Sequence, residues 1–275
     1  MTIAEMLLIA TPVVPIAMLV ACLWRSVRER MLTWLALAPA PGLAAAIFAT
    51  RNPSLVLDEP RLRLTLALDD PGRILLGVAA LLWIAAGAYA ATYLKGKPHG
   101  ARFSACWLLT LTGSLGVFIT ADLASFYLAF AFVSLAAYGL VVHDGTARAS
   151  RAGVIYLVLA VLGEVFLLQA FALLVAAIPG SSLAIRDAVA ALPGSPWRGI
   201  TMGLLIAGFG LKAGLLPLHV WLPVAHPAAP MPASAVLSGA IIKAGVIGLI
   251  RFLPFDAGSP KRFRQGCSGR PCGRS

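Results

Sequence analysis

Charge is what this sequence has least of. Asp, Glu, Lys and Arg supply 12% of its 275 residues, and apolar residues supply 60%. A soluble domain carries about 25% charged and about 45–50% apolar residues. So few charges cannot cover a globule of this length, so a soluble domain is excluded and most of the outer surface must face lipid. Cysteine is equally sparse. Two of the four lie in apolar segments (Cys22, Cys106) and two in the last stretch (Cys267, Cys272), which gives neither a disulfide framework nor a metal cluster. A glycine-rich nucleotide loop and a haem-type ligand arrangement are missing too. Electron transfer within this chain is therefore not expected, and no cofactor or metal is assigned. Acidic residues are half as many as basic ones, 11 against 22, for a net charge of +11. On a soluble protein that excess would raise nucleic acid as a partner. Here the excess sits in short loops and in the segment from Phe255, where Lys261, Arg262, Arg264, Arg270 and Arg274 face only Asp256; nucleic acid is not an expected partner.

What is present is length of apolar run. At about 20 residues per span there is room for about eight helices, and eight runs are found, at 3–23, 31–50, 74–94, 104–120, 123–142, 152–178, 200–218 and 233–253. The expected fold is all-α, a polytopic transmembrane bundle whose seventh helix is discontinuous. The first run carries Glu5 near its start and no basic leader, so it is expected to be a span and not a cleaved signal. Loops 24–30, 95–102 and 143–151 are basic and alternate with acidic, tiny or mixed loops at 51–73, 121–122 and 179–199. Basic short loops favour the cytoplasmic side, which puts the N-terminus outside. RLRLTLALDD at 61–70 alternates with the strand period and reads as a hairpin edge or a disordered loop. Residues 179–199, with Pro-Gly at both ends, read as a surface helix around Arg186 and Asp187.

Ionisable residues inside the runs carry the functional reading, because a charge at the bilayer centre costs about 2.5–3.5 kcal/mol and so faces the bundle interior. Three stand out: Glu164 in the sixth run, Lys212 in the seventh and Lys243 in the eighth. Lys212 lies among Gly208, Gly210 and Gly214 and is followed by Pro217 and Pro223, the composition of a broken transporter helix. His219, seven residues after Lys212, would lie two helical turns along the same face, and His226 follows in an irregular PVAHPAAPMP stretch. A neutral histidine both donates and accepts. The pattern supports an ion path without naming the ion. Each residue also has a structural reading: Glu164 as a hydrogen-bonded helix-interface acid, Lys243 with a partly snorkelling stem, the histidines as ties for irregular backbone. Asp122 reads as a cap or turn residue.

The stretch 208–251, GFGLKAGLLPLHVWLPVAHPAAPMPASAVLSGAIIKAGVIGLIR, resembles the proton-conducting antiporter-like subunits of respiratory complex I. Their relatives are the multisubunit cation/proton antiporters and the membrane subunits of energy-converting hydrogenases such as hydrogenase-4 and formate hydrogenlyase. The likeness extends back through DLASFYLAFAFVSLAAYGLVVHDGT at 122–146, and the SAxLSG form is nearer to the hydrogenase branch. The resemblance implies a fold of about fourteen helices with two inverted five-helix repeats, of which this chain holds the N-terminal part. It implies Lys212 as the proton carrier of the broken helix, Lys243 as the next lysine along a hydrophilic axis, and His219 and His226 as the histidines of the connecting segment. It implies no redox cofactor in this subunit. The implied partners are other subunits of a membrane-bound oxidoreductase or antiporter complex, and the implied ion is the proton, with Na+ as the alternative. A bacterial inner membrane is the expected location.

Two departures qualify the resemblance. The family's fifth-helix glutamate, which pairs with a basic group, is matched by Ala131, and Glu164 is the expected substitute. The likeness also fades after Pro254. The chain is thus expected to comprise 1–103 (three N-terminal helices with an external loop), 104–254 (part of a proton-translocation domain) and 255–275 (a basic tail read as an interrupted or frameshifted end, or else a genuine extension). The leading function is proton translocation coupled to redox chemistry in partner subunits. A cation/proton antiporter module and a non-conducting structural subunit are the alternatives.

Overall fold

The computed structural model describes residues 2–49, 53–59, 62–178 and 182–253. The segment 255–275, and with it the question of its origin, lies outside the described residues. Helix α1 (Ile3–Ala21) opens on a reciprocal cap, with Thr2 accepting from the Glu5 amide and Glu5 accepting from the Thr2 amide, which satisfies two otherwise orphaned donors. Helices α2 (Arg25–Trp34) and α3 (Ala40–Phe48) are joined by a 3-10 turn and form one crossing. The break falls at Pro39 and Pro41, where a continuous helix would lose backbone hydrogen bonds. The expected loop at 24–30 is therefore helical: its arginines are exposed and sit in the interfacial first turns of the span, where long basic side chains reach water.

Strands β1 (Ser54–Glu59) and β2 (Leu62–Ala67) form an antiparallel hairpin, so the alternating stretch is a hairpin and not a disordered loop. Then follow α4 (Asp70–Tyr93), α5 (Gly100–Ile119), α6 (Leu123–Val141) and α7 (Ala147–Ala177). The sixth crossing begins five residues earlier than its apolar run implies, because the Thr146 hydroxyl caps α7 by accepting from the Ala149 amide at 3.1 Å. At ~1.5 Å per residue its 31 residues reach ~46 Å, well beyond the ~30 Å hydrocarbon layer, so Arg148 and Arg151 project outside it. Helix α8 (Ile185–Ala191) is the expected surface helix. The seventh crossing is broken, as expected: α9 (Arg198–Ala213) gives way to a 3-10 turn at Leu218–Trp221 and a short α10 (Leu222–Ala225). The eighth comprises α11 (Met231–Val236), a π-helical turn at Leu237–Ile241 and α12 (Ile242–Phe252).

Eight helical segments among the described residues are long and apolar enough to cross a membrane. Their outward faces carry large apolar side chains such as Leu81, Val158 and Ile200, each more than half exposed, which is the surface that the shortage of charge requires. Helix α5 is the central post; Trp83 of α4 donates to Ser114 Oγ on α5 at 3.1 Å and meets Trp107 edge-on at 4.7 Å between centroids.

The ends of the bundle differ. One gathers the arginines in the first turns of α2 and α7 and the lysines of the turn before α5. At the other, Asp122 binds three segments together: it caps α6 through the Ser125 amide and hydroxyl (2.7 and 2.6 Å) and accepts from the Thr65 amide of β2 at 2.7 Å, while neighbouring backbone pairs with residue 184. The structural reading of Asp122 holds. Here too the Arg251 guanidinium, at the end of α12, uses all five of its N–H donors. It grips Asp69, the cap of α4, through Nε at 3.0 Å and Nη2 at 2.6 Å, and gives its remaining bonds to the carbonyls of Val117, Phe118 and Thr120 at the C-terminus of α5. A cation at the negative end of a helix is favourably placed.

Candidate functional site: a buried lysine at a helix break

Helix α9 ends because Gly214 takes a left-handed conformation (φ +70°), which glycine adopts without steric cost, and Pro217 prevents resumption. Lys212 occupies the last turn, where a cation complements the helix dipole. Its side chain is buried, and Nζ donates to the Tyr156 hydroxyl on α7 at 3.0 Å. Tyr156 donates in turn to the Ser134 carbonyl on α6 at 2.8 Å. The indole of Trp221 folds back under the break. Its Nε1 donates to the Leu211 carbonyl, one of those freed by the helix ending, at 2.7 Å, and its ring meets that of Tyr156 edge-on at 5.4 Å. The LPLHVWLP motif thereby closes the helix end and packs the tyrosine that holds the lysine.

Glu164 lies on α7 eight residues beyond Tyr156, on the same helical face. It is buried, and among the described residues neither carboxylate oxygen has a hydrogen-bond partner; the Ser134 hydroxyl beside it is also unpartnered there. Buried polar groups without partners are rare and mark a functional or hydrated site. Glu164 and Lys212 make no ion pair within 4.0 Å; they stand on helices that meet closely beside them, where a Cβ on Gly163 would stand 3.4 Å from the Gly208 carbonyl oxygen and 3.6 Å from Leu211. A cavity of ≈ 10 Å³ beside Lys212 is lined by Ser134, Tyr156, Gly163, Lys212, Trp221 and Phe130, room for about one water molecule. Ala131 sits one turn before Ser134 on α6, so Glu164 reaches from α7 toward the α6 segment that holds this alanine.

The remaining expected residues are not drawn into this cluster. His219 does not continue the face of Lys212, because the reversal at Gly214 ends the helix between them; it is half-buried in the 3-10 turn, with Nδ1 unpartnered among the described residues. His226 exchanges a hydrogen bond with Ser234 Oγ at 2.8 Å and so ties α10 to α11. Lys243 is half-buried just after the π-helical turn and makes no hydrogen bond or ion pair among the described residues. Two residues further on, Gly245 seats the backbone of α9 at Ala213 (a Cβ there would stand 2.6 Å from the Ala213 amide nitrogen), so Lys243 leaves α12 on the face turned away from α9. Sequence reasoning missed Tyr156, Ser134, Trp221 and Arg251. Only Tyr156 had a local signal, its shared face with Glu164.

Fold and site together define a multi-pass membrane helix bundle organised round a broken helix with a buried lysine. The chain belongs to the NADH:quinone oxidoreductase/Mrp antiporter transmembrane family, which matches residues 120–265. It is 32% identical to hydrogenase-4 component B of Escherichia coli K12 over 190 residues, covering 68% of this chain and 28% of that protein. It is 30% identical to NADH-quinone oxidoreductase subunit N of Desulforudis audaxviator over 264 residues, covering 88% of this chain and 52% of that one. The chain thus spans about half the length, or less, of these relatives. Among solved structures, a chain of the Mrp complex from Dietzia sp. superposes with a TM-score of 0.76 at 23% identity, covering 92% of this chain and 49% of its own. A chain of the membrane-bound sulfane sulfur reductase, an archaeal respiratory membrane complex, superposes with a TM-score of 0.73 at 20% identity, covering 90% and 52%. Both share the fold.

Proposed function

We propose that this chain is a proton-translocating membrane subunit of a complex I-like or hydrogenase-type oxidoreductase, in which redox chemistry in partner subunits drives protonation changes at Lys212. The observation that carries the reading is the buried Lys212 at the break of α9, held by Tyr156 beside a buried carboxyl group that has no hydrogen-bond partner among the described residues. Transfer of a proton from the Glu164 carboxyl to the Lys212 amine, through the Ser134 hydroxyl or a water in the cavity beside Lys212, turns a neutral pair into carboxylate and ammonium. Net charge within the bilayer is unchanged, so the penalty for an isolated intramembrane charge is offset by the attraction between the two new ones. Glu164 takes the place of the family's fifth-helix glutamate, and Lys243 is the next station, reached across α12. His219, with its free ring nitrogen, lies on the path by which the lysine exchanges protons with the basic end, whereas His226 acts through its tie to Ser234. The matched family also takes in antiporters, so the same lysines serve proton exchange against Na+ if the partner set is of that kind.

The test is proton flux into proteoliposomes holding the whole complex, driven by its redox reaction. Lys212→Met is expected to abolish flux with the complex still assembled. Undiminished flux in that variant would remove Lys212 from the mechanism. Flux that requires a sodium gradient in place of redox turnover would move the protein to the antiporter class.

A further inference from the structure

The three helices that supply Ser134, Glu164 and Lys212 each continue toward the hairpin end as an apolar stripe on the same face. On α6, Phe130 and Phe126 lie four and eight residues from Ser134; on α7, Phe171 lies seven from Glu164; on α9, Phe209 lies three from Lys212, all helical near-neighbour spacings. Phe252 of α12 joins them. All five rings are buried, and Phe209 contacts each of the other four, with centroids 5.9 Å from Phe126, 5.6 Å from Phe130, 6.4 Å from Phe171 and 5.3 Å from Phe252. Phe252 stacks on Phe171 at 4.9 Å and is fixed in place by the clamp of its neighbour Arg251. Phe130 also lines the cavity beside Lys212, so the floor of that cavity is the top of the cluster.

We propose that Phe126, Phe130, Phe171, Phe209 and Phe252 form an insulating seal that closes the Lys212–Glu164 site off from the hairpin end of the bundle. The proposal rests on the proton-transfer reading of that site and adds where its protons cannot go. Every other ring centroid lies within 6.4 Å of that of Phe209, so the five side chains make one contiguous apolar plug on the hairpin side of Lys212. Water enters a buried space only where polar groups can bind it, and an apolar constriction of this kind stays dewetted. A proton on Lys212 therefore has no aqueous wire along the membrane normal on this side and must leave sideways or return.

The test is passive proton leak in proteoliposomes of the full chain under an imposed membrane potential, with no redox turnover. Phe209→Ser, which removes the ring and supplies a hydroxyl for water, is expected to raise the leak severalfold. Phe209→Leu, which keeps the space dry, is expected to match the parent, and Lys212→Met added to Phe209→Ser is expected to return the leak to the parental level. Phe171→Ser provides the same reading from α7 if Phe209→Ser fails to insert. A folded serine variant with parental leak overturns the seal, as does a leak that survives loss of Lys212. If either holds while Lys212→Met still abolishes driven flux, the seal fails and the proton-transfer reading stands.

Discussion

The two halves of this bundle, divided at the level of Lys212, are built by opposite rules. Toward the hairpin end the buried charges are held: Arg251 uses all five donors, Asp69 is bound twice by it and Asp122 binds three segments, and among the described residues the Thr120 hydroxyl is the one buried polar atom left unpartnered there. The remaining volume is filled by phenylalanine. At the level of Lys212 and toward the basic end, buried polar atoms stand open among the described residues: both oxygens of Glu164, the Ser134 hydroxyl, the Trp107 indole nitrogen, and ring nitrogens of His219 and His143. One half is locked and dry, and the other has hydrogen-bonding capacity to spare. A protein that only needed to fold in lipid would satisfy both halves alike, since unsatisfied groups are costly there. The asymmetry is what the proposed proton-transfer site, backed by the proposed barrier, would require.

The contrast can be broken most strongly at the locked end. Arg251→Ala removes five hydrogen bonds and leaves three α5 carbonyls and a partly exposed aspartate behind; a destabilisation of roughly 2–4 kcal/mol is expected, read as a lower unfolding midpoint in detergent. Arg251→Lys, a point charge without the planar fork, should recover only part of it. At the open half a smaller effect is expected. Trp221→Phe keeps the ring against Tyr156 but leaves the Leu211 carbonyl without its donor, for about 1 kcal/mol. Driven flux is expected to fall further than that loss of stability implies, because the packing of Tyr156 sets the position of Lys212.

The smallest effect is expected at His143, in the turn after α6. Burial pushes its imidazole below the usual histidine range, with Asp144 opposing the shift. The unfolded chain therefore takes up a proton more readily than the folded one. The contribution to stability is complete above the ordinary histidine pKa of about 6.5 and is lost as pH falls below it toward the lowered folded value. Unfolding midpoints measured across this range should fall with acidification in the parent and less so in His143→Gln. Equal slopes would show that the open nitrogen at 143 is energetically silent.

How much of this was legible in the sequence follows from the range of each interaction. Glu164 and Lys212 stood out because one ionisable residue in an apolar run is conspicuous by itself, and the hairpin because RLRLTLAL alternates. The break after Lys212 was legible in its glycines and prolines, but the geometry beyond it was not. Gly214 turns the chain, so seven-residue spacing carried no meaning for His219. The Arg251–Asp69 clamp joins residues 182 apart in sequence, and no local pattern announces such a pair. The phenylalanines are ordinary span residues until four helices bring them together. Tyr156 could have been found, since its spacing from Glu164 places both on one face of α7.

The central claim is that Glu164 has taken over the carboxylate role left open at Ala131. The most direct measurement is redox-driven proton flux in proteoliposomes of the whole complex for Glu164→Gln, alone and with Ala131→Glu. The account predicts a loss of about tenfold or more in the single variant and recovery of most of it in the double variant, where the carboxylate returns to α6. Undiminished flux in Glu164→Gln would contradict it.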